Sequence, residues 1–469
     1  MNNFINEKLL SIIGFDYIVG ELNIQSSYGK NYFKKLLPFS TKEELEKEYS
    51  YIELYMGYLD ELIELDDLFM HLKDINSSLK KCENGYVLDI VDLYEIKVQA
   101  LIIDKISKIT NPLKLDSFVL EDCQEVLSLL SDNDNYTPDF YLYNAYSDNL
   151  SRIRKRKREI ERQIRDNPIE KEQLLELRHE LVIAEQEEEL KVRTDLSKKL
   201  RPLMKIIRSN IHKLSHMDVL IAKARLAKKY HLVKPIITDK NLVLSNMEHP
   251  LISKNVCEQG NRYTKNTISM SCGTTIITGA NMGGKSSIIK TIAFNVYLAH
   301  LGFYVFADYC EFPLLNGILY LGLDTDNNAH GLSTFGQEIV LLNEIVRKMK
   351  KGSYLICIDE FARSTNPYEG QKFVKALAKF ANNYSSYTLI ATHYDNIADN
   401  TMAHYQITGL KEVKIDESKS FLYNINQLMD YTLIKVNSES DVPKEAYKVA
   451  KILQIDDDFQ KFLDVSYKE

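Results

Sequence analysis

The glycines of this chain are distributed very unevenly. None occurs between residues 86 and 259, a run of 174 positions, whereas 11 of the 18 lie between Gly273 and Gly370. Glycine is used where a backbone turns tightly or approaches another group closely, and it weakens the interior of a helix. The glycine-free part therefore favours long continuous helices, and the glycine-rich part favours a compact α/β domain.

Hydrophobic periodicity agrees with this division. In the glycine-free part Leu174, Leu177 and Leu181 recur at helical spacing. The glycine-rich part contains short apolar or β-branched runs at 274–278, 354–358 and 387–391, and a helical pattern follows each of them. Strands that alternate with helices are typical of a parallel sheet, so we expect a mixed protein, mainly α-helical first and α/β afterwards.

Composition excludes several classes of protein. No stretch approaches about 18 consecutive apolar residues, and the N-terminus lacks the basic start and apolar core of a secretory signal, so we expect a cytoplasmic protein without a membrane span. The six cysteines lie far apart, which argues against a disulfide scaffold or a zinc site. The net charge is −7, so any contact with nucleic acid requires a local basic patch.

Charge is segregated around a turn signal, Asp166-Asn167-Pro168, which predicts a helical hairpin. Residues 152–165 include eight basic and two acidic side chains, and residues 170–189 include eight acidic and two basic ones. The basic residues could contact phosphates; this set is Arg152, Arg154, Lys155, Arg156, Lys157 and Arg158. Alternatively, the two arms neutralise each other in an antiparallel coiled coil, with Glu170, Glu172, Glu176 and Glu180 as partners. The equal and opposite balances favour this second interpretation.

A phosphate-binding loop is the most specific motif of the chain. Its pattern is G-x-x-x-x-G-K-[ST], and its residues are Gly279, Ala280, Asn281, Met282, Gly283, Gly284, Lys285 and Ser286. A predicted strand precedes the loop and a helix follows from Ser287, which is the context the motif requires. Backbone N–H groups of such a loop and helix N-terminus bind phosphates, so the motif predicts an ATP site. Lys285 is expected at the β- and γ-phosphates and Ser286 as a ligand of Mg²⁺.

Polar residues follow the next two apolar runs. Asp359 and Glu360 end the run at 354–358, and His393 follows the run at 387–391. Carboxyl ends of parallel strands face one crevice, so these side chains are expected beside the phosphate loop. We expect Asp359 to hold the metal, Glu360 to orient or deprotonate the attacking water, and His393 to contact the γ-phosphate or position water.

Together with Ser333-Thr334-Phe335, these motifs resemble the ATPase domain of the MutS family, an ABC-type P-loop domain. The resemblance implies that the domains dimerise, that Ser333 reaches the partner's γ-phosphate in trans, and that the segment 366–370 lines the interface. Through Glu248-His249-Pro250, it also implies that His249 lies near the adenine. It is tight from about 245 to 395 and looser elsewhere.

The resemblance also implies a domain plan. Residues 1–145 are expected as a helical core, 146–232 as a clamp-like hairpin with a returning lever helix, 233–425 as the ATPase domain, and 426–469 as a C-terminal helical dimerisation segment. The sequence departs from the family pattern where Ala280 replaces a proline, Ala362 and Ser364 replace glycines, and His330 replaces a small residue. None of these departures falls on a residue expected to act in hydrolysis, so ATP hydrolysis is still expected.

Two kinds of client, a nucleic acid or an enzyme, are compatible with the sequence. The resemblance implies an ATPase that acts on nucleic acid, but only 278 residues precede the phosphate loop and no Phe-x-Glu mismatch wedge occurs, so mismatch recognition is not expected. Short MutS-like proteins also resemble reactivating factors for cobalamin-dependent aminomutases, which bind an enzyme. The dimer that the resemblance implies is expected to be either a homodimer or a heterodimer with a paralogue.

Overall fold

The computed structural model describes residues 4–113, 118–132, 137–166, 171–279, 284–322, 334–410, 429–437, 447, 450 and 455–467. The helices of the described residues are α1 Glu7–Ile12, α2 Phe15–Glu21, α3 Ser27–Lys34, α4 Lys42–Gly57, α5 Leu65–His71, α6 Asn76–Glu83, α7 Ile90–Thr110, α8 Gln124–Leu129, α9 Asp148–Asp166, α10 Lys171–Leu200, α11 Met204–Tyr230, α12 Pro250–Glu258, α13 Lys285–His300, α14 Thr334–Met349, α15 Pro367–Ala381 and α16 Asp457–Ser466. The strands are β1 Ile236–Thr238, β2 Asn241–Met247, β3 Asn266–Ser271, β4 Gly273–Thr278, β5 Tyr309–Pro313, β6 Ile318–Leu321, β7 Leu355–Asp359, β8 Tyr387–Ala391, β9 Ala403–Leu410 and β10 Met429–Val436.

The chain forms two compact units. The first, here called the sheet unit, comprises residues 1–22, 37–56 and 223–469, and the second, the helical unit, comprises residues 23–36 and 57–222. The resemblance predicts a helical core at 1–145, but residues 1–22 and 37–56 belong to the sheet unit. The physical reason is packing against α13: the Tyr49 hydroxyl donates to the Ala299 carbonyl at 2.6 Å, and the Phe15 ring meets the Tyr297 ring edge-on at 5.0 Å.

Two sheets build the sheet unit. The larger has the order β10-β9-β4-β8-β7-β6, parallel except for the antiparallel pair β9 and β10. The smaller has the order β1-β5-β2-β3 and is mostly antiparallel. Strands β4, β7 and β8 are buried at every position, as continuous apolar runs in a covered parallel sheet require.

The C-terminal part differs from its expected helical structure. Residues 429–436 form β10, which pairs with β9 and extends the larger sheet. The run Tyr431-Thr432-Leu433-Ile434 is rich in aromatic and β-branched residues, which favour a pleated sheet over a helix. Helix α16 does lie within the predicted segment.

In the helical unit, α9 and α10 pair with each other and their facing side chains form ion pairs. Arg154 contacts Glu185 at 2.9 Å and Glu189 at 2.7 Å, Lys157 contacts Glu185, and Arg178 of α10 contacts Glu161 of α9 at 3.0 Å. The prediction that the glutamates at the start of α10 pair with the basic residues of α9 is wrong. Glu172, Glu176 and Glu180 are exposed and form no ion pair with α9 among the described residues, and Glu170 lies outside those residues.

The reason is the antiparallel register. The start of α9 lies opposite the middle of α10, where the Ser147 hydroxyl just before α9 donates to Glu188. The acidic residues at the start of α10 therefore lie too far along the hairpin to reach Arg154. Residues 167–170, where the turn was predicted, lie outside the described part of the chain. No helix in the part of the chain that the structure describes is long and apolar enough to cross a membrane.

Candidate functional site

The predicted site residues converge at one edge of the larger sheet. Strands β4, β8 and β7 are adjacent and parallel, and Asp359 lies opposite Ala391 in the register. The Glu360 amide donates to the Ala391 carbonyl at 3.0 Å, and the Thr392 amide donates to the Ile277 carbonyl at 3.0 Å. These bonds hold the segments after the three strands together, so the phosphate-loop lysine, the two carboxylates and His393 share one crevice.

Lys285 is the first residue of α13 and is almost fully buried. Its Nζ donates to the Gly279 carbonyl at 2.7 Å and lies 3.6 Å from Oε1 of Glu360. Burial lowers the pKa of Lys285, and the neighbouring Glu360 carboxylate opposes that shift. Gly284, just before the helix, has a φ of +86°, a left-handed conformation that suits glycine. The local backbone thus places an ammonium group at the start of a helix, where anions bind.

Asp359 and Ser286 could together hold a divalent cation. The Ser286 side chain is hydrogen-bonded to the Asp359 carboxylate, and the Tyr320 hydroxyl donates to Oδ2 of Asp359 at 3.1 Å. Oδ1 of Asp359 is buried and has no hydrogen-bond partner among the described residues. Burial raises the pKa of Asp359, which a bound cation would reverse. A hydroxyl beside an unsatisfied carboxylate oxygen suits Mg²⁺, which prefers few protein ligands and completes its shell with phosphates and water.

No cluster of three or more His, Cys, Asp or Glu side chains suited to a metal occurs within the described ranges.

Glu360 begins a tight turn that the sequence does not reveal. Its φ is +54° and that of Ala362 is +61°, so two non-glycine residues adopt the left-handed conformation. Arg363 Nη1 donates to Oε2 of Glu360 at 2.6 Å. The Glu338 carboxylate accepts from the Ala362 amide at 3.1 Å, and the Tyr394 hydroxyl donates to the Ala362 carbonyl at 3.0 Å. The side chain of Glu360 is therefore held between Lys285 and Arg363.

His393 lies at the same edge, half-buried. Its Nδ1 is buried without a hydrogen-bond partner in the described part of the molecule, and its ring packs against Tyr394 with centroids 4.4 Å apart. Burial lowers the pKa of His393, so the neutral form predominates near pH 7 and one ring nitrogen remains able to accept a proton.

A cavity of about 260 Å³ adjoins the start of α13. Gly284 and Ser287 line it on one side, and its other walls come from α12, the loop before β3, and β10. Its apolar and aromatic lining residues are Ile252, Val256, Tyr263, Ile288 and Tyr431. The position and lining suit a flat heterocyclic ring attached to a phosphate chain.

The model of MutS domain V matches residues 275–455. The DNA mismatch repair protein MutS of Streptococcus suis is 31% identical over 261 residues, which cover 54% of this chain and 30% of that protein. The DNA mismatch repair protein Msh3 of Homo sapiens is 32% identical over 267 residues, which cover 51% of this chain and 23% of that protein. This chain thus contains a region similar to MutS domain V. It matches less than a third of the length of each of these relatives.

Several of the residues expected from the MutS resemblance are not part of the described structure. Ser333, His330 and four residues of the phosphate loop (Ala280, Asn281, Met282 and Gly283) lie outside it. The roles expected of Ser333 and of the loop therefore stay predictions. The matched MutS domain V region contains Lys285, Asp359, Glu360 and His393.

His249 has a structural environment of its own. It is buried, its Nε2 lies 2.9 Å from the Ile13 carbonyl, its Nδ1 accepts from the Ile252 amide at 3.4 Å, and its ring lies 4.7 Å from that of Phe294. Both ring nitrogens thus face backbone groups, Nδ1 at the start of α12 and Nε2 at the end of α1. The adenine contact expected of His249 stays a prediction, whereas Tyr263 and Tyr431, which line the cavity, carried no sequence signal beyond being aromatic.

Proposed function

We propose that this chain is a Mg²⁺-dependent ATPase whose turnover drives a conformational change in a bound client. The observation that carries the proposal is the cluster at one sheet edge, where Lys285, Asp359, Glu360 and His393 lie together and Ser286 is hydrogen-bonded to Asp359. The match to MutS domain V supports it.

Each side chain has a distinct role in the proposal. Lys285 binds the β- and γ-phosphates, and Glu360, held by Arg363, orients the attacking water and accepts its proton. Ser286 and Asp359 hold Mg²⁺, which supplies charge neutralisation on the phosphate oxygens. His393 contacts the γ-phosphate or positions water through its neutral ring. The cavity lined by Tyr263 and Tyr431 takes the adenine, next to Ser287.

The test is the Glu360→Gln variant. It should bind Mg²⁺-ATP with the affinity of the wild type and lose turnover, because the phosphate and metal contacts remain while the general base is gone. Binding is measured with a fluorescent ATP analogue and turnover by phosphate release. Glu344→Gln, an exposed glutamate on α14, is the matched control and should change neither. Equal turnover in the wild type and Glu360→Gln would remove Glu360 from this role.

We further propose a dimer formed through the ATPase domains, either a homodimer or a heterodimer with a paralogue. Ser333 would reach the partner's γ-phosphate, and residues 366–370 would line the interface. The exposed Tyr368 and Phe373 side chains on α15 support this, since apolar groups at a surface are suited to a partner. The exposed Phe459 and Phe462 of α16 support a contribution from the C-terminal segment.

The dimer is tested by sedimentation of Glu360→Gln with and without ATP. ATP should raise the sedimentation coefficient of the protein. A monomer in both conditions, with a rate of hydrolysis linear in protein concentration, would contradict a homodimeric site.

DNA is the client that the helical unit supports best. Of the six basic residues at 152–158, Arg154 and Lys157 are the two that pair with α10 in the described part of the hairpin. Arg156 pairs with Glu159 of its own helix. An exposed basic surface remains on α9, without ion pairs in the described structure; its residues are Arg152, Lys155, Arg158, Arg162 and Arg165. The relatives are named as DNA mismatch repair proteins, which agrees with a DNA client.

The DNA proposal is tested by fluorescence anisotropy on matched, mismatched and branched duplexes across a salt series. Replacing Lys155, Arg158 and Arg162 with glutamine should flatten the log–log salt slope by about 2–3, because three phosphate contacts are lost. Replacing Arg154 and Lys157 should leave the slope unchanged, since these side chains face α10. The matched and mismatched duplexes should bind equally.

The alternative is an ATP-dependent reactivating factor for a cobalamin-dependent aminomutase. The exposed acidic residues of α10, among them Glu172, Glu176 and Glu180, favour this alternative because they repel DNA. Under it, the chain with Mg²⁺-ATP restores activity to an inactivated aminomutase and the glutamine triple variant behaves like the wild type. A salt-sensitive DNA affinity that this variant loses would instead support the DNA client.

A further inference from the structure

The helical unit contains a second cavity, of about 370 Å³, between α5 and α7. Its wall is largely apolar, and the apolar lining residues are Leu68, Ile75, Tyr94, Val98, Ile102 and Pro138. Tyr94, Val98 and Ile102 are four residues apart, so they form one face of α7. A concave apolar surface of this size can enclose most of a small organic molecule.

One polar side chain in the wall of this cavity is buried and unsatisfied. Gln99 of α7 is only 2% exposed, and its Nε2 has no hydrogen-bond partner among the residues that the structure describes. A buried amide donor without a partner is destabilising, and native proteins rarely retain one without a reason. An acceptor oxygen on a bound molecule would satisfy it.

The charges around the cavity favour an anionic acceptor. Lys73 and Lys105 line the cavity and form no ion pair within the described ranges. The acidic residues at the same wall have neighbours of their own: Glu95 accepts from the Ser78 hydroxyl at 2.6 Å, and Asp67 lies 3.6 Å from Nδ1 of His71. Lys73 and Lys105 are therefore the cationic groups of this wall that remain available to a ligand in the described structure, whereas oxygens of Glu95 and Asp67 already have neighbours.

We propose that this cavity binds an apolar carboxylate, with its hydrocarbon part against α5 and α7 and its carboxylate at Gln99, Lys73 and Lys105. An alkyl or aryl chain matches the apolar wall, and a carboxylate oxygen accepts from the Gln99 amide. The two lysines supply the opposite charge at the mouth. The site belongs to the helical unit and does not rest on the ATPase proposal.

The test uses octanoate as the probe, with octylamine and octanol as probes of equal chain length, titrated calorimetrically into the full chain. Octanoate should bind saturably, and octylamine at least tenfold more weakly. Gln99→Leu should weaken the binding of octanoate by roughly tenfold or more, because a hydrogen bond to a charged group is lost. It should weaken the binding of octanol less, because a hydrogen bond to a neutral hydroxyl contributes less. Lys73→Gln and Lys105→Gln should each lower the affinity for octanoate roughly twofold to fivefold.

Lys198→Gln, an exposed lysine of α10 outside the cavity, is the matched control and should bind octanoate like the wild type. Octylamine that binds as tightly as octanoate, or an unchanged octanoate affinity in Gln99→Leu, would overturn the proposal. The urea midpoint of Gln99→Leu without a probe tests its folding. The two surface lysine variants decide the question independently, since unchanged affinity in both would also overturn it.

Discussion

His300, the last residue of α13, makes the sheet unit sensitive to acid in a way that can be calculated. Its ring is completely buried, with Phe4 at 4.7 Å and Phe312 at 5.0 Å between ring centroids. Nε2 accepts from the Leu315 amide at 3.1 Å, so the proton resides on Nδ1, which donates to the Val296 carbonyl at 2.8 Å. A second proton would break the bond to Leu315 and place a charge in an apolar site.

Burial accordingly lowers the pKa of His300 from 6.5 to about 4. Because the folded pKa lies below the unfolded one, the unfolded chain binds the proton first as the pH falls. The stabilisation is complete above pH 6.5 and is lost as the pH falls through 4. Linkage gives a loss in the free energy of unfolding of about 2 kcal/mol at pH 5 and about 3 kcal/mol at pH 4.

The perturbation that isolates this effect is His300→Gln. At pH 7.5 the variant should be less stable than the wild type by about 1–3 kcal/mol, because it loses ring packing in the core. Glutamine takes up no proton, so the difference in stability should narrow by about 2 kcal/mol between pH 7.5 and 5. Contributions from other titrating groups are common to both proteins and cancel.

Urea unfolding followed by far-UV circular dichroism at both pH values measures the difference in the free energy of unfolding between the two proteins. If unfolding shows more than one transition, the one whose midpoint the variant moves is compared. The matched control is His231→Asn, an exposed histidine of the sheet unit whose φ of +51° asparagine tolerates, and it should keep the wild-type pH dependence. A stability difference between wild type and His300→Gln that is the same at both pH values would refute the reasoning.

Three further predictions concern stability. Ala362→Val should lower the free energy of unfolding by about 2–3 kcal/mol, because a β-branched residue is strained at a φ of +61° in a buried turn, whereas Ala362→Gly should stay within about 1 kcal/mol of the wild type. Lys223→Met should lower the free energy of unfolding by about 3–5 kcal/mol, because it removes the buried ion pair in which Lys223 Nζ lies 2.7 Å from Glu48. The double variant with Glu48→Leu should recover most of that loss. Arg154→Gln should lower the free energy of unfolding by about 1–3 kcal/mol, because its ion pairs are lost. Replacement of the exposed Lys155 by glutamine should change the free energy of unfolding by no more than about 0.5 kcal/mol.

Urea unfolding measures all three. Equal stability of the two Ala362 variants would show that the turn is not left-handed in solution. No recovery in the double variant would show that the lost ion pair between Lys223 and Glu48 does not explain the destabilisation by Lys223→Met. A cost for Lys155→Gln equal to that for Arg154→Gln would contradict the observed helix register.

The strands around the site were predictable because their signals are local. The runs at 274–278, 354–358 and 387–391 correspond to β4, β7 and β8 within one residue at either end. Burial on both faces requires a continuous apolar stretch, which a sequence displays directly. The polar residues after those stretches were predictable for the same reason, since parallel strands end at one edge.

The smaller sheet and β10 were not predicted. Strand β3 alternates buried and exposed residues over only six positions, and β10 pairs along one side only, with β9. Short alternating segments of this kind are hard to distinguish from loops, because their stability comes from neighbours distant in sequence. The turn at Glu360 was missed for a related reason: Ala362 does not reveal a left-handed conformation as a glycine would.

The sequence by itself determined that a glycine-poor helical part is followed by an α/β part with a phosphate loop, because helix periodicity, buried strands and loop glycines are local properties. Only the tertiary structure decided which groups meet. Arg154 pairs with Glu185 rather than Glu172, Arg363 holds Glu360, and the buried Gln99 amide nitrogen has no hydrogen-bond partner among the described residues. Such pairings depend on the register of helices and on distances through space, and ion pairs and hydrogen bonds act only over a few ångströms.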